Sequence, residues 1–414
     1  MDGVTLGSYT VVTSDDVNDV ATGLRLAINN LTSTTGYAAA GSAAEVTLTA
    51  PAGKGASING GSHLAFASTG TGAATVTQFS SGVSSVLKPI HYIISEYFRI
   101  QPKGELWVML CEDPGTWADF SEVQTLKTAS NGAIRQYLFF ASSLCEVDAD
   151  YVTAMQTEMA TLESEYAYAS SLLALDMSSV TDLTTLPDLR ALSAPKVSVA
   201  IGQGGTGSVG AEIAAVCGYS VTNAGAVLGL MSLAKVHEDI GYIKKYDISG
   251  TELTVPAMAN GTLLSAISNG ALTSLNEKGY IFGMSEIGIT GTFVNDSNCA
   301  VAVTSDYAYI EDNRAIDKAC RAVRAALLPE LKGPLYPDAT TGKLSAGTVK
   351  YFEELGNTAI AQMIKDGELA GGQTLINADQ DVVTTSNLNI TVELVKVATA
   401  RAITVSIGFV LKLS

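Results

Sequence analysis

The run from Ala402 to Leu413 restricts the fold of this chain more than any other feature. Its large apolar side chains occupy every second position, namely Ile403, Val405, Ile407, Phe409, Leu411 and Leu413. A period of two predicts a β-strand with one apolar face. Each of these side chains gains roughly 1.5–3 kcal/mol when it is fully buried, so the face has to be covered. The run has no charge or proline up to Leu411, and such an edge aggregates unless it is paired.

The residues before this run predict a C-terminal domain over 311–414. Apolar residues recur at helical spacing over 313–328 and over 345–365, and residues 387–397 alternate like a strand. We therefore predict two helices followed by a β-hairpin of strands 387–397 and 402–413. One edge of the last strand stays free in this hairpin. We predict that this edge, or the whole final strand, pairs with a sheet of an adjacent subunit. The alternative is a central strand within the same subunit.

The remaining residues fall into two further parts, as a length of 414 residues allows. Residues 1–80 are rich in Gly, Ala, Ser and Thr, and they predict a β-rich module with one helix, which Ser14, Asp15 and Asp16 can cap. The chain begins almost inside a strand pattern, so this module either borrows a strand or is truncated. Residues 81–310 alternate between strand and helix patterns, which favours a mixed α/β fold. The elements predicted there include helices over 86–100, 149–175 and 210–217 and strands over 105–110, 135–140 and 196–201.

Charge argues against nucleic acid as a direct partner. The chain has 41 acidic and 24 basic residues, for a formal net charge of −17. Residues 111–310 carry 22 acidic and 8 basic residues, a balance of −14, whereas 311–414 carry 12 and 11. No broad basic footprint is present. The sequence also lacks a secretory signal and an apolar run of about 18 residues, so we expect no direct membrane partner.

No constellation of residues predicts catalysis, a metal or a cofactor. The three histidines lie in different segments, and the five cysteines form no CxxC pair. The glycines Gly202, Gly204 and Gly207 follow a strand pattern and precede a helix pattern, as in a dinucleotide-binding loop. The acidic residue expected about 20 positions later is missing. We therefore predict that the protein is not an enzyme, with a nucleotide-binding enzyme that uses Gly202–Gly207 as an alternative.

A basic stripe stands out in this acidic chain. It consists of Arg314, Lys318, Arg321 and Arg324, which are spaced so that they share one side of a helix. One interpretation is a solvated helix face with local ion pairs to Glu311 and Asp317. The other is a docking face for an acidic partner.

Several stretches of the sequence resemble the contractile tail sheath proteins of tailed bacteriophages. They occur in a consistent order over roughly residues 85–414. These stretches are 104–110, 229–232, 236–241, 278–282, 305–319, 327–329, 342–345 and 366–369. The resemblance implies a multidomain sheath-like fold, with residues 1–80 as a departure from the usual N-terminal arm and strand-rich segment.

The function implied by this resemblance is mechanical. Sheath subunits stack as hexameric rings in a helical lattice around an inner tail tube, between a baseplate and a tail terminator. Contraction drives the tube through a target cell envelope and consumes no cofactor. The protein would be made in the bacterial cytoplasm and reside in a virion tail or a related contractile injection particle. The alternative within this class is a non-contractile tail component, such as a tube or baseplate protein.

The resemblance also suggests roles for particular segments. It implies strand exchange between sheath subunits, which agrees with the predicted pairing of 402–413. The basic stripe is predicted to contact the inner tube or a neighbouring subunit. Composition adds one further expectation. Residues 1–80 are rich in Gly, Ser and Thr and have no apolar stripe beyond their own helix, so we expect them at the outside of the assembly.

Overall fold

The computed structural model describes residues 5–51, 58–80, 87–115, 117, 119–145 and 148–409. The chain forms two compact units, Met1–Lys88 and Pro89–Ser414. Within the described ranges, no helix combines the length and apolarity needed to cross a bilayer.

The first unit is organised around helix α1, Val17–Asn30. The Asp16 carboxylate accepts hydrogen bonds from the amides of Asn18 and Asp19, and it caps the helix as its position in the sequence predicts. Residues 5–12 and 74–79 belong to no strand, so the described part of this unit contains less β-structure than the predicted β-rich module. The other elements described in this unit are α2, Thr32–Thr35, and the paired strands β1, Ala38–Ala40, and β2, Thr47–Thr49.

The second unit is built on a parallel sheet. Its four strands lie in the order β3, β4, β5, β8, and every neighbouring pair is parallel. Strands and helices alternate along the chain, which confirms the predicted α/β class. The elements up to residue 300 are α3 (Leu87–Ile100), α4 (Glu122–Ala129), β3 (Gln136–Cys145), α5 (Ala149–Ser164), β4 (Ser170–Asp176), β5 (Val197–Ala200), β6 (Gly202–Gly204), α6 (Val209–Cys217), α7 (Ala224–Leu233), β7 (Pro256–Met258), α8 (Asn269–Glu277), β8 (Tyr280–Ile281), β9 (Gly283–Met284) and β10 (Phe293–Val294).

Strand β4 lies in the interior and is buried on both faces. Leu173 and Leu175 pack into a core with α5, whereas Leu172 and Ala174 pack into a second core with α7. Every residue of this strand is buried. Residues 149–175 were predicted as one helical stretch, and this prediction is wrong for its second half. A parallel strand covered on both faces lacks the alternation that identifies a half-exposed strand.

The C-terminal part contains the two predicted long helices. Helix α9 spans Ile310–Leu327 and α10 spans Ala346–Lys365, close to the predicted ranges 313–328 and 345–365. The remaining elements are β11 (Leu369–Leu375), α11 (Val382–Thr385) and β12 (Thr391–Lys396).

The predicted hairpin of strands 387–397 and 402–413 is wrong. β12 lies within the range 387–397, but it pairs antiparallel with β11. Residues 402–409 belong to no strand, and Leu411 and Leu413 lie outside the described residues. The partner of β12 is thus a strand that the sequence analysis did not predict. β11 also packs against α10, which ends only four residues before β11 begins.

The predicted boundary between residues 310 and 311 does not separate two compact units. Helix α9 begins at this point, and its first turns are buried. The side-chain amide of Asn313 donates to the backbone oxygen of Pro195 over 2.8 Å. Residues 311–414 thus share one unit with the parallel sheet.

Candidate assembly site

The C-terminal arm, defined here as residues 402–409, projects from the second unit. The exposed fractions of Ile403, Val405, Ile407 and Phe409 are 81%, 71%, 93% and 110%. No hydrogen bond joins the arm to any other described residue. The apolar face that the sequence predicts is therefore present, and within the described part of the subunit nothing covers it.

The arm is attached to the unit through a charged cluster, which we call the anchor. Its centre is Arg401, whose Nε donates to Asp296 Oδ1 over 3.0 Å. The Nη2 atom of Arg401 donates to Glu311 and to Ser297 Oγ, and it lies 3.2 Å from Asp239 Oδ2. The guanidinium also stacks on Tyr309, with Cζ 3.4 Å from the ring centroid. Five partners thus hold one side chain immediately before the arm.

The anchor contains more negative than positive charge. The side chain of Glu311 is 5% exposed and that of Asp239 is 11% exposed. Burial, together with repulsion from Asp239, raises the pKa of Glu311 to about 7. Burial and the Asp296 charge likewise raise the pKa of Asp239. Three carboxylates around one guanidinium are therefore costly to ionise together.

We expect Glu311→Gln to alter the pH dependence of stability. The pKa of Glu311 in the folded state lies above its unfolded value, so ionisation disfavours the fold as pH rises through about 7. Wild type and variant should be similar near pH 5. At pH 8 the variant should be more stable, by on the order of 2 kcal/mol. Thermal melts between pH 5 and 8 measure this difference. The exposed Glu277→Gln serves as the control, and parallel curves for all three proteins would contradict the prediction.

The strands β11 and β12 form a small sheet that is open at its β12 edge. The inner face of this sheet packs on α9 and α10 through Leu369 and Leu394. On the β11 side, the Asn357 side chain of α10 accepts the amide hydrogen of Thr374 over 2.8 Å. Among the described residues, the backbone of β12 has hydrogen-bond partners only in β11. An isolated two-stranded sheet is marginal in water, and the free edge of β12 can accept a further strand.

The basic stripe does not form a free face. Arg314 donates to the backbone oxygen of Ala234 over 2.7 Å, and burial lowers the pKa of its guanidinium to about 10. Lys318 pairs with Glu368, and its Nζ lies 2.7 Å from Oε1. The helical spacing correctly placed these residues on one helix. Contacts within the subunit thus engage the charged groups of both Arg314 and Lys318.

The other two residues of the stripe also have partners within the subunit. Arg321 donates to the backbone oxygen of Tyr168 over 3.1 Å. The guanidinium of Arg324 lies 3.3 Å from the ring centroid of Tyr166. Contact of Arg314, Lys318, Arg321 and Arg324 with a tube or a neighbour stays a prediction. Charge reversal at Arg321 and Arg324 would now disturb the fold as well as any docking.

A cleft of about 530 Å³ lies beside the sheet edge at β3. One wall is formed by residues 105–111, which were predicted to contain a buried strand over 105–110. They form no strand, and Trp107, Val108 and Leu110 are 42%, 51% and 60% exposed. The apolar composition of this segment predicted that it would be buried. The cleft lies between the segment and β3, so these three side chains stay exposed.

The glycines at 202–207 are not arranged to bind a dinucleotide. Gly202–Gly204 form β6, which pairs antiparallel with β7. A carboxylate already occupies the N terminus of the following helix α6, because Glu252 Oε2 accepts the amide hydrogen of Val209 over 2.9 Å. In a dinucleotide-binding loop this end of the helix receives the pyrophosphate. The nucleotide-binding alternative is therefore not supported by the geometry of this loop.

Two domain models of one sequence family match this chain, and several solved structures are similar to it. The family model described as DUF2586, N-terminal domain, matches residues 27–298, and DUF2586, C-terminal domain, matches residues 306–414. A search of curated protein sequences found no match.

Three solved structures illustrate the structural similarity. A chain of the anti-feeding prophage (AFP) baseplate is 16% identical at a TM-score of 0.47, over 77% of this chain and 80% of that one. A chain of the PVC sheath complex, an extracellular contractile injection system in the contracted state, is 12% identical at 0.41, over 66% and 71%. The sheath tail protein from Desulfitobacterium hafniense is 10% identical at 0.39, over 86% and 71%.

Proposed function

This chain belongs to the DUF2586 family, and we propose that it is a structural subunit of a contractile tail sheath. In this role it would polymerise around an inner tube and contract to drive that tube through a target envelope. The observation that carries the proposal is the C-terminal arm, an exposed, uncharged and alternating apolar segment on the same chain as the open edge of β12.

The arm and the open edge are complementary in chemistry. The arm has free backbone amides and carbonyls and the period-two pattern of a strand. The edge of β12 lacks a second hydrogen-bonded neighbour in the described structure. Addition of the arm of one subunit to β12 of another would satisfy both backbones and bury the apolar face.

An interface of this kind produces a polymer. Donor and acceptor are different surfaces of the same chain, so each subunit can give one arm and receive another. Such head-to-tail contacts generate closed rings or open helical filaments. A sheath of stacked hexameric rings combines both arrangements, and arms that cross between subunits would keep them connected while the lattice changes.

The ordered sequence stretches that resemble tail sheath proteins favour a sheath over other polymers. With this role we propose the inner tube, baseplate and tail terminator as partners and a virion tail or injection particle as the location. The proposed work comes from subunit contacts that are better in the contracted lattice. Neither an enzymatic activity nor a cofactor is part of the proposal. The outer position of residues 1–80 stays a prediction.

Removal of residues 402–414 should abolish polymerisation without unfolding the subunit. The arm makes no hydrogen bond within the described structure, so its loss leaves the packed cores intact. Circular dichroism melts report folding, and negative-stain electron microscopy reports assembly. We expect wide hollow tubes from the full chain and folded, soluble subunits from the truncated chain.

A matched pair of variants tests which face of the arm is used. The double variant Val405→Asn, Ile407→Asn makes the centre of the apolar face polar and should prevent tube formation. The double variant Thr404→Asn, Ser406→Asn changes the same number of positions on the opposite face and should still form tubes. Tubes from the truncated chain, or an unfolded truncated product, would contradict the strand-exchange model. Narrow tubes from the full chain would favour a tube protein over a sheath protein.

A further inference from the structure

The anchor has a second property, which follows from its position in the chain. Arg401 directly precedes the arm, whereas Lys396 is the last residue of β12. Residues 397–400 connect them, belong to no helix or strand, and are exposed. The segment that follows β12 is therefore attached to the unit again at Arg401, five residues after the end of the strand. The exposed arm begins directly after this attachment.

Both ends of this connection are tied to the start of α9. Lys396 Nζ lies 2.7 Å from Asp312 Oδ2, and Arg401 contacts the neighbouring Glu311. The Lys396 side chain is 60% exposed and has one ion-pair partner, whereas that of Arg401 is 25% exposed and has the five partners named above. Arg401 is thus the stronger of the two attachments.

The contacts of Arg401 come from three separate parts of the unit. Asp239 follows α7, Asp296 and Ser297 follow β10, and Glu311 belongs to α9. A second guanidinium, that of Arg190, also lies near the Tyr309 ring, with its Cζ 5.2 Å from the ring centroid. A planar guanidinium can satisfy several acceptors at fixed angles, which an ammonium group cannot do. The anchor therefore determines the direction of the chain as well as its position.

We propose that Arg401 is a positioning residue for assembly, and that its anchor is the pivot from which the arm is presented to a second copy of this chain. This inference rests on the proposed strand exchange and adds to it. Without the anchor, the flexible segment would extend from residue 397 instead of residue 402. The linker would then have to be ordered when subunits associate, which weakens association.

The anchor can be tested in the unassembled subunit. The chain has eight arginines, so the Nε–Hε signals of arginine are few enough to resolve by NMR. We expect one slowly exchanging signal that is displaced by the Tyr309 ring and disappears in Arg401→Ala. Tyr309→Leu should remove the displacement. Absence of such a signal in the full chain would overturn the inference whether or not the protein polymerises.

Assembly provides the second test. Arg401→Ala should raise the concentration needed for polymerisation roughly tenfold or more and make the tubes irregular. Arg401→Lys should recover only part of the loss. Lys343→Ala, which removes an exposed ion pair with Asp379 outside β12 and the anchor, should behave like the wild type.

A double variant separates positioning from stability. Arg401→Ala leaves the three carboxylates uncompensated, so it can lower the melting temperature by itself. Adding Glu311→Gln removes one of these charges and should restore the melting temperature but not regular tubes. Recovery of both would overturn the positioning role.

The proposed function and this inference fail differently. If the chain without residues 402–414 polymerises, strand exchange is wrong. If only the full chain polymerises but Arg401→Ala assembles identically to it, strand exchange survives and the pivot is wrong.

Discussion

Replacement of Lys196 by alanine should lower the free energy of unfolding by about 3–5 kcal/mol. Lys196 Nζ lies 2.5 Å from Asp317 Oδ1, and their side chains are only 3% and 6% exposed. The ammonium also lies 5.1 Å from the ring centroid of Tyr307. Removal of the lysine would leave a buried carboxylate without its counter-charge, which is far more costly than the loss of an exposed pair.

The loss should depend on pH. Burial already raises the pKa of Asp317, with Lys196 acting in the opposite direction. In Lys196→Ala the carboxyl would titrate at still higher pH, so protonation would relieve part of the penalty in acid. We expect a larger loss at pH 8 than at pH 5, as measured by denaturant unfolding.

Two controls make this prediction specific. Lys196→Met combined with Asp317→Leu removes both charges and should cost much less than the single variant. Lys245 pairs with Glu238, and the Lys245 side chain is 45% exposed. Lys245→Ala should therefore lower the free energy of unfolding by less than about 1 kcal/mol. A loss from Lys196→Ala as small as that from Lys245→Ala would show that the buried pair is not needed.

Substitution of Gly225 by valine should cost about 3 kcal/mol, the upper end of the usual cost of overpacking. Helix α7 contacts α3 so closely that a Cβ at Gly225 would lie 2.1 Å from the backbone oxygen of Ile93. At Gly229, one turn later, a Cβ would lie 2.9 Å from the backbone oxygen of Tyr97. The helices would have to separate, which disturbs the core on one face of the sheet.

The matched control is Gly347→Val in α10. A Cβ at Gly347 meets no atom within 4 Å, so the same change should be nearly neutral there. Denaturant unfolding of the two variants compares them directly. Equal stability of both would contradict the close approach of α3 and α7.

Local sequence patterns predicted the elements whose burial is one-sided. The helices α9 and α10 have apolar stripes at helical spacing, and β12 alternates with Leu394 towards the helices. Strand β4 was predicted as part of a helix, because burial on both faces removes the alternation by which a strand is recognised. The same reasoning explains the failure at 105–110, where apolar composition predicted burial that the cleft does not provide.

No pattern in the local sequence predicted the anchor. Arg401 lies 90 positions from Glu311 and 105 positions from Asp296, and isolated acidic residues are common in a chain with 41 of them. Charge spacing on α9 likewise showed that four basic residues share a helix side. It could not show that their partners come from Ala234, Glu368, Tyr166 and Tyr168.

The sequence by itself determined the α/β class, the two long C-terminal helices and the apolar face of the arm. Each of these depends on periodicity within one short segment, where backbone geometry fixes which side chains share a face. Only the tertiary structure decided that β11 pairs with β12, that the basic stripe is occupied, and that Arg401 holds the base of the arm. These features join residues that are distant in sequence, and their free energy depends on burial and on charges that only the folded chain brings together.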